Sequence, residues 1–152
     1  YRAAEAAYHY LRDELGTDPD KIFLCGQSVG SGPTCHLAAR VPHRAVVLLA
    51  PFHTAYQVAT RIPLFPGDRF PNGDNLAQVD TPLIIIHGID DRIIPISQGI
   101  KLYHRSPSKK KYFLPIEDSG HNELYVVGSW RVFTAIRFIL NESSEAPESA
   151  FP

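Results

Sequence analysis

The sequence predicts an α/β fold, a parallel sheet with helices packed on both faces, and three observations carry that prediction. Short apolar clusters bounded by turn formers recur at Ile22 to Cys25, Ala45 to Ala50, Leu83 to His87 and Tyr112 to Ile116, and each reads as a strand. The second and third clusters are apolar almost without interruption, the pattern of strands buried on both faces. Helix-like stretches separate the clusters, which is the alternation of a parallel sheet.

In chain order, Ala3 to Leu15 is rich in Ala, Glu, Leu and Arg and ends at Gly16, so it reads as a helix with a glycine stop. Thr17 to Lys21 turns the chain into the first strand. Val29 to Arg40 follows as a helix stopped near Pro42. After the second strand, the 30 residues from Pro51 to Asp80 hold four prolines with several Gly, Asn and Asp, and read as an irregular excursion. Ser97 to His104 is a helix after the third strand, and Asn122 to Leu140 a longer one after the fourth. Residues 1–140 form one partial domain, and Asn141 to Pro152 reads as a disordered tail.

Composition narrows the function. With 152 residues, 44% of them hydrophobic, the chain is a globular domain with a single core. A net charge of -1 supplies no basic surface for a phosphate backbone, so nucleic acid is excluded as a partner. Lys109, Lys110 and Lys111 form the single basic run and read as a solvated turn. Cys25 and Cys35 lack the spacing of a zinc site or a disulfide framework and are expected to be small buried packing residues in a reducing compartment. No apolar run reaches the roughly 18 residues of a membrane span, and no signal peptide opens the chain. The first residue is Tyr1, not methionine, which leads us to expect a longer parent protein.

The strongest motif is Gly26-Gln27-Ser28-Val29-Gly30, set between an apolar strand and a helix. That context fits a nucleophile elbow: a sharp turn that presents Ser28 at the sheet edge, with glycines at 26 and 30 to avoid collision with strand and helix. The Val29 N–H, at the helix start, is the natural oxyanion donor. The alternative is a turn that merely reverses the chain or cradles an anion in a non-catalytic α/β module. Ser31 falls in the first helical turn and is expected to be structural.

A serine hydroxyl needs a base, and the base needs an orienting acid. In a hydrolase of this fold the order is Ser, then Asp or Glu, then His. The third strand runs into His87-Gly88-Ile89-Asp90-Asp91, and Asp91, three residues after the glycine, is preferred over Asp90 as the acid. His87 is expected to pack at the strand end. After the fourth strand comes Ser119-Gly120-His121-Asn122, and His121 is the expected base. His9, His36, His43, His53 and His104 read as lone surface histidines, and Asp118 lies too near His121 in sequence to serve it. The resulting chemistry, attack of Ser28 on an ester or thioester carbonyl, calls for no metal and no organic cofactor.

These motifs, together with Val79-Asp80-Thr81-Pro82 before the third strand, resemble the α/β-hydrolase domain-containing protein 17 group over roughly Tyr1 to Leu140. The resemblance implies the C-terminal half of an α/β-hydrolase fold, with Ser28, Asp91 and His121 as the triad. It implies a palmitoyl-protein thioesterase acting on acylated proteins or lipid esters, peripheral to the cytoplasmic face of membranes through an N-terminal segment preceding Tyr1. Lipid esterases and serine peptidases of the same fold are the alternatives. A complete sheet of this kind has about eight strands, so the second oxyanion donor is expected upstream and the isolated piece is expected to be inactive.

Overall fold

The structure, a computed structural model, describes residues 1–54 and 70–141. Among these, four strands form one parallel sheet in the order β1-β2-β3-β4: β1 is Phe23–Gln27, β2 Ala45–Leu49, β3 Leu83–Gly88 and β4 Lys111–Ile116. Phe23 pairs with Ala45, Val46 with Leu83 and Leu83 with Lys111. The four predicted strands are thus present, with ends moved by one or two residues.

Alternation of side chains sorts the core into two layers. Leu24, Val46, Leu48, Leu83, Ile85 and Phe113 face one side. There they meet α1 (Arg2–His9), α2 (Ser31–Ala38) and α4 (Ile96–Arg105) through residues such as Tyr8, Leu37 and Leu102. Val47, Leu49, Ile84, Ile86 and Leu114 face the other. They pack against Val132, Ala135 and Ile139 of α6 (Ser129–Asn141) and Leu124 of α5 (Leu124–Val127). Every residue of β2 and β3 is buried, and each such aliphatic side chain stabilises the fold by about 1.5–3 kcal/mol.

The helices depart from the sequence reading in instructive ways. The first helix does run to the predicted glycine stop, where Gly16 has φ +60, but its last part, Tyr10–Glu14, winds as a π-helix. The predicted helix at Val29 to Arg40 opens instead with a 3-10 turn, Ser28–Gly30, and α2 ends at Ala38. The predicted helix at Asn122 to Leu140 is split into α5 and α6 at Gly128. A Cβ there would stand 2.7 Å from Ile116 Cγ2, so close packing on β4 dictates the glycine and the break. The expected excursion contains a short helix, α3 (Asn72–Leu76), whose Leu76 is fully buried. The rest of that excursion, residues 55–69, and the tail expected beyond Asn141 lie outside the described residues.

Cys25 corrects a second expectation. Cys35 is buried, and burial pushes its thiol up to about 12, but Cys25 is exposed among the described residues, although Phe23 on the same face of β1 packs in part against the core layer under α6. Lys111 likewise leaves the solvated turn: its Nζ donates to the carbonyls of Tyr103 and Ser106 at 3.0 and 2.8 Å, capping the end of α4. No helix among the described residues is long and apolar enough to cross a membrane.

Candidate active site

The turn after β1 is built around backbone strain. Ser28 has φ 51, a left-handed conformation that costs a non-glycine residue about 1–3 kcal/mol. Gly26 permits it: a Cβ at 26 would lie 2.4 Å from Thr34 Oγ1 and 2.6 Å from the Gly30 carbonyl oxygen. Gly30 does not share this role. A Cβ there meets nothing within 4 Å among the described residues, and its φ of -64 suits any residue, so the expected steric need for glycine at 30 is corrected. Gln27 is extended and exposed, ending the strand. Val29 is the second residue of the 3-10 turn, 67% exposed, with its N–H among the first amides of a helical segment, which lack intrahelical acceptors.

Asp91 and His121 are delivered by two loops fastened to each other. Ile89 N–H donates to the Ile116 carbonyl at 2.9 Å and Asp90 N–H to the Ser119 carbonyl at 3.0 Å. Gly88 makes the approach possible, because a Cβ at that position would stand 2.3 Å from the Ser119 oxygen. The buried Asp91 carboxylate accepts from the Ile93 and Ile94 amides on Oδ1, at 2.9 and 2.7 Å. On Oδ2 it accepts from His121 Nδ1 at 2.7 Å. A carboxylate only accepts, so Nδ1 carries the proton and Nε2 is left as an acceptor. Ser28 Oγ lies 2.9 Å from that Nε2 and donates to it. Three side chains predicted from sequence order therefore form one hydrogen-bonded chain, spanning 93 residues between Ser28 and His121.

The rejected candidates lie elsewhere. Asp90 and Asp118 are exposed, and neither His121 nitrogen bonds to them. His87 packs at the strand end, as expected, fully buried, its Nε2–H donating to the Ile94 carbonyl at 2.8 Å and standing 3.5 Å from Asp91 Oδ2. Two histidines expected at the surface have structural partners instead: His36 bonds Glu5 at 3.1 Å, and His43 is buried between the Val41 carbonyl and Thr81 Oγ1. Sequence reasoning missed Asn72, which donates to Ser31 Oγ at 3.2 Å behind the elbow; an asparagine in an irregular stretch carries no motif that would have marked it. Among the described residues, no group of three or more His, Cys, Asp or Glu could hold a metal ion.

No protein-family model matches the chain. Individual proteins do. Alpha/beta hydrolase domain-containing protein 17C of Xenopus tropicalis is 39% identical over 131 residues, a match covering 82% of this chain and 40% of that protein. The protein of the same description from Homo sapiens is 37% identical, covering 82% and 38%. The chain thus spans about two fifths of the length of the curated relatives it matches. Among solved structures, the Paleococcus ferrophilus monoacylglycerol lipase is similar with a TM-score of 0.71 at 16% identity, over 93% of this chain and 75% of that one. The chain has the fold of the α/β hydrolases and is a sequence relative of the alpha/beta hydrolase domain-containing protein 17 group.

Proposed function

We propose that this chain carries the nucleophile, base and acid of a serine hydrolase, and that its substrates are acyl thioesters on proteins, with lipid esters as the alternative class. The observation that carries this reading is the Ser28–His121–Asp91 hydrogen-bond chain with its Nδ1–H tautomer fixed by a buried carboxylate. His121 Nε2 takes the Ser28 proton as Oγ attacks the acyl carbonyl. Val29 N–H donates to the oxygen that becomes negative, a contribution of about 3–4 kcal/mol per donor. The thiolate or alkoxide leaves with the proton held on His121, and water, deprotonated by the same nitrogen, releases the acid and regenerates Ser28.

Similarity to the protein 17 group supports a palmitoylated cysteine of a membrane-attached protein as the substrate, with the enzyme at the cytoplasmic membrane face. Fluorophosphonate labelling of the whole protein tests the nucleophile: labelling is expected in the parent and absent in Ser28→Ala, and Asp91→Asn is expected to slow turnover on the order of ten-thousand-fold. Labelling that persists in Ser28→Ala would sink the serine-hydrolase reading. Turnover of a palmitoylated peptide compared with a short-chain ester and a lipid ester tests the substrate class, and preference for either ester would overturn the thioesterase assignment.

A further inference from the structure

Ser28 does not hold its strained conformation alone. Its carbonyl accepts the backbone N–H of Ser31 and, at 2.6 Å, the Ser31 hydroxyl. The single hydroxyl proton of Ser31 is thereby committed, so its oxygen acts as acceptor toward Asn72 Nδ2 at 3.2 Å. The second Nδ2 hydrogen of Asn72 goes to the Phe52 carbonyl at 2.9 Å. Both donors being used, the amide has one orientation: turning it over would set two carbonyl oxygens against each other. Ser31 and Asn72 are fully buried, where no water competes for these bonds. The relay therefore ties the loop that leaves β2, through α3, to the turn that presents Ser28.

Peptide planarity gives the relay a consequence. The Ser28 carbonyl and the Val29 N–H belong to one rigid trans peptide, so fixing the carbonyl fixes the direction of the N–H on its opposite side. We propose that Asn72, acting through Ser31, is a positioning residue that orients the Val29 N–H toward the developing oxyanion. The proposal rests on the serine-hydrolase reading above. A donor needed only in the transition state affects kcat rather than KM.

The test compares Ser31→Ala, Asn72→Leu, the double variant and Ser31→Thr in the whole protein, measuring kcat and KM on an acyl thioester alongside thermal unfolding. Each single loss is expected to lower kcat on the order of 10- to 100-fold with KM within about twofold. The double variant is expected to be no slower than the slower single, since both break one relay. Ser31→Thr, which retains the hydroxyl, is expected to recover most of the loss. Unchanged kcat in the folded single variants, losses that multiply in the double, a loss carried by KM, or a Ser31→Thr as slow as Ser31→Ala would overturn the proposal. A parent protein without Ser28-dependent turnover would instead overturn the hydrolase reading and this inference with it.

Discussion

Strands β1 and β3 carry opposite ends of the same hydrogen-bond chain and are built differently. β3 is hydrogen-bonded on both edges, and all six of its residues are buried. β1 is bonded to β2 along one edge, alternates buried with exposed residues, and turns Cys25 outward. Asp91 therefore takes its position from a strand embedded in the core, with its loop fastened to that of His121. Ser28 takes its position from local devices: a left-handed φ, the clearance at Gly26, and the Ser31 and Asn72 bonds behind it. Placement on the acid side comes from packing, and on the nucleophile side from hydrogen bonding and strain.

The largest contrast should appear when the strands themselves are trimmed. Ile85→Ala, in the middle of β3, is expected to cost about 2–5 kcal/mol in chemical denaturation, because it leaves a cavity between two sealed layers. Cys25→Ala, at a position of β1 exposed among the described residues, is expected to stay within about 0.5 kcal/mol. Comparable losses would erase the distinction between the two strands. A finer contrast uses the two glycines. Gly88→Ala pushes a methyl into the Ser119 carbonyl and is expected to cost about 1–3 kcal/mol. Gly30→Ala, at a helical φ where a new Cβ meets nothing within 4 Å among the described residues, is expected to stabilise by about 0.4–1 kcal/mol. A lowered midpoint for Gly30→Ala would show that the elbow is tighter than its geometry indicates.

The same contrast governs how much could be read from sequence. The buried strands announced themselves, since Val46 to Leu49 and Leu83 to Ile86 must be apolar throughout when both faces are covered. Ser28, Asp91 and His121 were legible from order and neighbouring glycines, and the structure brings the three side chains together. What was not legible depends on contacts between distant residues. The exposure of Cys25 depends on what the rest of the fold lays over β1, and the break at Gly128 on Ile116 pressing on it. Asn72 meets Ser31 across 41 residues, a pairing no local pattern encodes. Gly30 errs the other way: a motif suggested a steric reason that the turn does not supply.

Proton linkage at His87 offers the smallest effect and the sharpest probe of the acid side. Burial, the largest influence, pushes the His87 imidazole below its ordinary value of 6.5, with the neighbouring His121 pushing the same way and the Ile94 carbonyl and Asp91 opposing. The hydrogen bonds explain why the neutral form is kept: Nε2–H is spent on the Ile94 carbonyl, and the buried Nδ1 has no partner among the described residues that could take a second proton. A folded value below the unfolded one means that His87 contributes stability above about pH 6.5, lost as pH falls through the lowered folded value. His43 is lowered for the same leading reason, with the Val41 carbonyl and the Asp80 charge opposing, but its Nε2 faces a hydroxyl that can reorient. Urea midpoints measured between about pH 8 and 5.5 should therefore fall with pH in the parent protein. His87→Gln should flatten that slope more than His43→Gln does, whatever either variant does to the midpoint at pH 8. A slope that survives His87→Gln intact would mean that the proton uptake opposing folding occurs elsewhere, and that the packing around Asp91 yields to charge more readily than the sealed environment of β3 implies.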